Sequence, residues 1–186
     1  MPTPERTSTA AIIAAGRDIL ESDGLSGLTM QAVAARVGVR APSLYKRVRD
    51  RDALIVGVVE AVIDDLSAEL EGVERELASG GGDSAEGVLA ALAATYRGFA
   101  LAHPEGFRLM FTASAPLASL DRAAGPVRRA SAAAVGEEDA LDAARLVTAW
   151  MTGFLQMELG GAFRLGGDID QAFDYGLRHL LRGLAR

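Results

Sequence analysis

The 186-residue chain reads as an all-α protein, with three short N-terminal helices feeding one long helix and then a C-terminal helical bundle. Three observations predict this. Apolar residues recur at i, i+3, i+4 and i+7 in segment after segment. No stretch shows the two-residue alternation of a strand, and glycine, proline and capping residues interrupt the pattern at helix-length intervals.

The first helix opens at Ser8 or Thr9, either of which can cap it, and carries Ala11, Ile12, Ala15, Ile19 and Leu20 on one face, with Gly24 as its stop. Leu25 and Leu28 flank a Ser-Gly turn. Thr29 then caps a second helix whose Met30, Val33, Ala34 and Val37 repeat at helical spacing. Gly38 suits a tight turn, and Pro42 is acceptable only in the first turn of a helix, so a third helix starts near Arg40 or Ala41 and runs through Lys46. Asp50 offers a new cap for a long helix bearing Leu54, Val58, Ala61, Val62, Leu66, Leu70, Val73 and Leu77.

The run Ser79-Gly80-Gly81-Gly82-Asp83 breaks that helix, and Asp83 or Ser84 caps the next, from Ala85 to Ala102, with Val88, Leu89, Leu92, Tyr96 and Phe99 inward. Pro104 stops it, and a short helix follows through Phe107, Met110 and Phe111. The segment Ala113 to Gly136 is undecided between helix and loop. Helical spacing returns from Glu137 to Phe163 and, after Gly166-Gly167, from Ile169 to Leu184. There is no internal repeat.

Composition narrows the chemistry. The chain has no cysteine, which excludes disulfides, thiolate metal sites and a cysteine nucleophile. His103 and His179 are its only histidines and share no metal-ligand spacing, so no metal or other cofactor is expected. No serine–histidine–acid arrangement is defensible either, and the chain is not expected to be an enzyme. The N-terminus lacks the pattern of an export signal, and no window is long and apolar enough to span a membrane, so a cytoplasmic location is expected.

Charge is the informative quantity once it is divided along the chain. Residues 36–51, RVGVRAPSLYKRVRDR, hold six cations and one acid, a net of +5, which leaves −11 for the rest of a chain whose formal total is −6. A cationic patch on an acidic body suits a polyanionic partner.

Two short helices joined by a tight glycine turn, with a preceding helix to bury their apolar faces, make a helix-turn-helix whose second helix can enter the major groove of double-stranded DNA. The candidates for reading bases are Arg40, Ala41, Ser43 and Lys46, with Gln31 on the preceding helix as a further donor and acceptor. Pro42 shapes the helix start or touches a thymine methyl. Thr29 caps its helix and lies near the phosphates, as does Tyr45, while Lys46, Arg47 and Arg51 are the expected phosphate contacts.

The run from Thr29 to Leu54 resembles the DNA-binding segment of TetR-family one-component transcriptional regulators. In that family a Thr opens the second helix, Ala-x-x-x-Gly-Val leads into the third, Leu-Tyr ends it and a Lys-x-x-Leu pattern starts the fourth. This chain has Arg47-Val48 where the family has His-Phe, and Arg51 where it has lysine. Further on, Trp150-Met-Thr-Gly and His103-Pro-Glu-Gly-Phe are similar to the Trp-x-x-His-Gly type of C-terminal regulatory domain, with Thr152 in place of the histidine.

The resemblance implies a DNA-binding domain over residues 1–50 and an effector-binding and dimerisation domain over 51–186. It also implies a homodimer formed through the last two helices, and repression relieved by a small-molecule effector. Tyr96, Phe99, Phe107, Met110, Phe111, Trp150, Phe154 and Met157 hold most of the chain's large side chains and are the candidate effector contacts, which points to an apolar or aromatic ligand. The same spacing also fits a plain apolar core. The competing assignment is an all-α carrier for an apolar ligand, in which the basic turn is incidental.

Overall fold

The computed structural model describes residues 8–81, 84–111 and 115–184 and is all-α, with no strand among those residues. The helices are α1 (Thr9–Gly27), α2 (Met30–Val37), α3 (Ala41–Leu44), α4 (Arg51–Ser79), α5 (Ala85–Ala102), α6 (Pro104–Leu109), α7 (Leu117–Val135), α8 (Ala140–Leu159) and α9 (Ile169–Leu184). Gly82 and Asp83, part of the expected break, lie outside the described residues, as does Ala113. None of the helices is long and apolar enough to cross a membrane.

Most starts obey local capping chemistry. The Ser8 hydroxyl accepts from the Ala11 N–H at 3.1 Å, Thr29 from Ala32 at 3.1 Å, a carboxylate oxygen of Asp50 from Ala53 at 2.8 Å and Ser84 from Gly87 at 3.1 Å. The α1 span includes a break at Gly24 (φ 69°, ψ −176°), so the regular helix stops where the sequence places its stop.

Helix α7 settles the undecided segment, and it does so with Pro126 inside it. The proline removes one N–H from the helical ladder, yet Gly125, Pro126, Val127 and Ala130 are all buried, and that packing sustains a helix local rules would interrupt. Helix α8 is shorter at both ends than its apolar spacing suggests. It closes at Leu159 because Gly160 and Gly161 (φ 62°) turn the chain away.

The chain divides into two compact units, residues 1–65 with 103–120, and residues 66–102 with 121–186. In the first, α1, α2, α3 and the start of α4 surround Ile12, Ile19, Leu20, Leu28, Val33, Leu44, Leu54 and Val58, each at most 2% exposed. Helix α6 belongs to this unit through Glu21 of α1, whose carboxylate accepts from the backbone N–H groups of Glu105 (3.1 Å) and Gly106 (2.8 Å). Arg17 of α1 is paired with Asp65 of α4.

In the second unit the core is built from Leu66 and Leu70 of α4, Leu89, Leu92 and Phe99 of α5, Val147, Met151 and Leu155 of α8, and Phe173, Leu177 and Leu181 of α9. Trp150, Phe154, Phe163 and Phe173 form a ring cluster with centroids 4.8–5.7 Å apart. Helix α9 reaches Trp150 at Gly176, where an added Cβ would stand 2.4 Å from the indole Cζ2. Gly176→Ala should therefore destabilise the protein by about 1–3 kcal/mol through overpacking, read as a lower urea midpoint with an unchanged slope.

Candidate nucleic-acid interface

The first unit presents its basic segment through a chain of local constraints. Helix α2 ends at Gly38 in the left-handed region (φ 75°, ψ 34°), the Gly38 N–H reaches the Ala35 carbonyl at 3.2 Å, and Val39 N–H returns to Ala34 at 2.9 Å. This six-to-one closure is the Schellman geometry, which glycine adopts without Cβ strain. Arg40 then occupies the N-cap position of α3 in an extended conformation, and Pro42 sits in the first turn where its missing N–H costs nothing.

Helix α3 is only one turn long, and the turn after it is held just as firmly. The N–H groups of Arg47 (2.8 Å) and Val48 (2.9 Å) both donate to the Leu44 carbonyl. Leu44 is fully buried and Val48 is 6% exposed, so two apolar anchors bracket Tyr45, Lys46 and Arg47, which are turned to solvent. Val48, smaller than the Phe the family resemblance would place there, still seats the turn.

The other base-reading candidates are accessible too: Gln31, Arg40 and Pro42 are exposed, and Ala41 and Ser43 are partly so. Thr29 is partly buried, with its hydroxyl engaged in capping α2. Thr29→Ala should cost about 1 kcal/mol of stability, checked by chemical denaturation, and lower DNA affinity by loosening α2.

Not all the cations are equally available. Arg49 donates to Asp50 at 2.7 Å, a bond that raises the Arg49 pKa. The Asp50 carboxyl is held below its usual range, first by the Ala53 N–H and then by Arg49. Arg36 lies 3.6 Å from Asp18. The expectation for Arg51 changes most: its Nε donates to the Leu28 carbonyl at 2.7 Å and an Nη to the Leu25 carbonyl at 2.6 Å, so one edge of its guanidinium is occupied by backbone.

The eight effector candidates fall in two units. Phe107, Met110 and Phe111 belong to the first, where Phe107 is fully buried with its ring 5.2 Å from that of half-exposed Phe111. The other five belong to the second, where Trp150 and Phe154 join the ring cluster, Phe99 is buried and Met157 is half-exposed. Tyr96 is buried with its hydroxyl 3.0 Å from that of Thr152, and burial raises its pKa. Phe163, the last residue of the span with helical spacing, instead follows the Gly160-Gly161 turn after α8 and completes the ring cluster from there. In the same unit a cleft of about 210 Å³, lined by Leu77, Ala78, Val88, Ala130 and Ala133, is flanked by the Glu74–Arg129 ion pair at 2.6–2.8 Å. Among the described residues no group of His, Asp and Glu is placed to hold a metal ion.

Comparison with known proteins agrees with this geometry. The family model described as bacterial regulatory proteins of the tetR family matches residues 12–58, and that described as a tetracyclin repressor-like C-terminal domain matches residues 89–180. Over 101 residues the chain is 31% identical to an uncharacterized HTH-type transcriptional regulator, Rv0681, of Mycobacterium tuberculosis, a match that covers 54% of this chain and 44% of that protein. It is 27% identical over 164 residues to the class A tetracycline repressor protein of Escherichia coli, covering 87% and 73% of the two. The chain thus spans less than half the length of the first of these relatives.

A solved structure of a protein with unknown function from Rhodococcus sp. RHA1 superimposes with a TM-score of 0.81 and 27% identity over the full length of both chains. The capped α2, the Gly38 turn, the one-turn α3 and the two matching domains together establish that this chain belongs to the TetR family of DNA-binding transcriptional regulators.

Proposed function

We propose that the protein is a ligand-responsive repressor that binds a near-palindromic operator as a homodimer and is released by a small apolar or aromatic effector. The observation that carries the DNA half of this reading is the exposure of Arg40, Pro42, Tyr45, Lys46 and Arg47 on a segment pinned by buried Leu44 and Val48. Side chains so placed can reach base edges from the major groove, while the neighbouring cations neutralise phosphate.

Support for a dimer comes from the outer faces of the last two helices. On α8, Leu146, Ala149, Gly153 and Met157 recur at helical spacing and are all exposed; on α9, Ala172, Tyr175 and His179 do the same. Tyr175 and His179 stack at 4.0 Å, and the His179 ring nitrogen lies 2.8 Å from the Tyr175 carbonyl. Such a stripe suits self-association around a two-fold axis, which would bring two recognition helices to successive major grooves.

A relative named as a tetracycline repressor makes a small-molecule effector the natural input, and the apolar core of the second unit is compatible with one of little charge. In this reading the effector acts through α4, which contributes residues to both units, and it must favour one spacing of the recognition helices energetically. Residues 1–50 then serve DNA and 51–186 the effector and the dimer contact, in the cytoplasm.

Selection of duplexes from a random pool at low salt tests the reading. A regulator should enrich a near-palindrome, and sedimentation should show two chains per bound duplex. A pool without enrichment would leave the all-α carrier as the better assignment.

A further inference from the structure

Arg51 stands in the first turn of α4, yet its side chain is directed at the turn between α1 and α2. The two carbonyls it engages, Leu25 and Leu28, lie between the Gly24 break and the Thr29 cap. Carbonyls at a helix end lack intrahelical partners, and a planar guanidinium presents two parallel donors at a fixed spacing that can satisfy both. A lysine ammonium is a single point and cannot reproduce that bridge.

Arg51 also differs from the other cations of the basic segment in how it is engaged. Asp52 is exposed in the same turn, Asp50 caps it, and Arg49 is bonded to Asp50. An approaching phosphate would meet a guanidinium with one edge already filled by backbone carbonyls.

We infer that Arg51 is a positioning residue for DNA recognition. It ties the α1–α2 turn to the start of α4, and so sets the attitude of α2 and of the Arg40–Arg47 run without gripping phosphate itself. This rests on the reading that the run binds duplex DNA.

The test uses the full chain, the duplex recovered by selection and a scrambled duplex, with affinities measured against salt for wild type, Arg51→Ala, Arg51→Lys and Lys46→Ala. Both Arg51 variants should lose about tenfold on the selected duplex and less on the scrambled one, with the wild-type salt slope retained. Backbone hydrogen exchange over residues 25–33 should quicken in both. Lysine rescue of affinity, or a slope flattened by about one unit in Arg51→Ala, with exchange unchanged, overturns the inference. A wild-type protein with no salt-dependent duplex binding, and a Lys46→Ala variant indistinguishable from it, overturns the DNA reading as well. If Arg51→Ala does not fold, Arg51→Lys alone decides, because a phosphate contact survives that change and a two-carbonyl bridge does not.

Discussion

Replacing Lys46 and Arg47 together with alanine should weaken binding to the selected duplex by roughly 60-fold at 0.1 M salt. The figure comes from counterion release: each phosphate neutralised contributes a slope of about 0.9 in log affinity against log salt, and that contribution vanishes near 1 M. Two contacts are then worth roughly 1.8 decades at 0.1 M, and the slope should flatten by roughly 1.8 units. Both side chains are exposed on a turn whose backbone is fastened to the Leu44 carbonyl, a fastening that alanine at either position keeps. Salt titrations by fluorescence anisotropy read both quantities. A double variant with the wild-type slope would remove these residues from the phosphate contacts.

Arg40→Ala and Ser43→Ala should instead change which sequences are preferred, since base-edge contacts carry the sequence information. A uniform loss across all duplexes would move Arg40 and Ser43 into the phosphate class.

The second large effect is on stability. Arg97 of α5 donates from Nε (3.0 Å) and Nη (2.6 Å) to the two carboxylate oxygens of Glu158 at the end of α8, bonds Asp170 of α9 at 2.6 Å, and lies 4.8 Å from the Phe173 ring centroid. The Glu158 bond is the chief cause of an arginine pKa held well above its usual value. The side chains of Arg97 and Glu158 are only 13% and 11% exposed, so Arg97→Ala would strand a largely buried carboxylate.

Breaking such a pair costs about 3 kcal/mol, far more than the intact pair contributes, because the remaining charge loses its partner without regaining water. Arg97→Met with Glu158→Leu should recover most of the loss by removing both charges. Asp170→Ala should cost well under about 1 kcal/mol, because the Asp170 side chain is 80% exposed. Denaturant melts of the three variants check the order. Equal losses for Arg97→Ala and Asp170→Ala would refute the role of burial.

These two predictions differ in how far the sequence alone supports them. Lys46 and Arg47 stand out as cations in an acidic chain, placed after a glycine turn and a first-turn proline, so the role proposed for them can be argued from composition and spacing. The Arg97 clamp is not readable at all: Arg97 is one of 19 cationic residues, and its partners lie 61 and 73 positions away. The Phe163 contact with Phe154 is similar in kind, because Phe163 lies past the turn that ends α8 and not on the helix its spacing suggests.

Local chemistry along the chain is enough to set the all-α class and the helix boundaries that depend on neighbours: the caps at Ser8, Thr29 and Asp50, the Gly24 stop, the Gly38 turn and the place of Pro42. It also locates the basic segment and its resemblance to TetR-type DNA-binding helices. These features rest on interactions within a few residues, which side-chain chemistry and backbone geometry fix one turn at a time. Long-range packing alone settles that α7 stays helical through Pro126, that the effector candidates divide between two units, and that Arg51 holds backbone carbonyls 23 and 26 positions back. Each depends on which distant surface a residue meets, and a guanidinium carries the same charge in the sequence whether it will find a phosphate, a carboxylate or a pair of carbonyls.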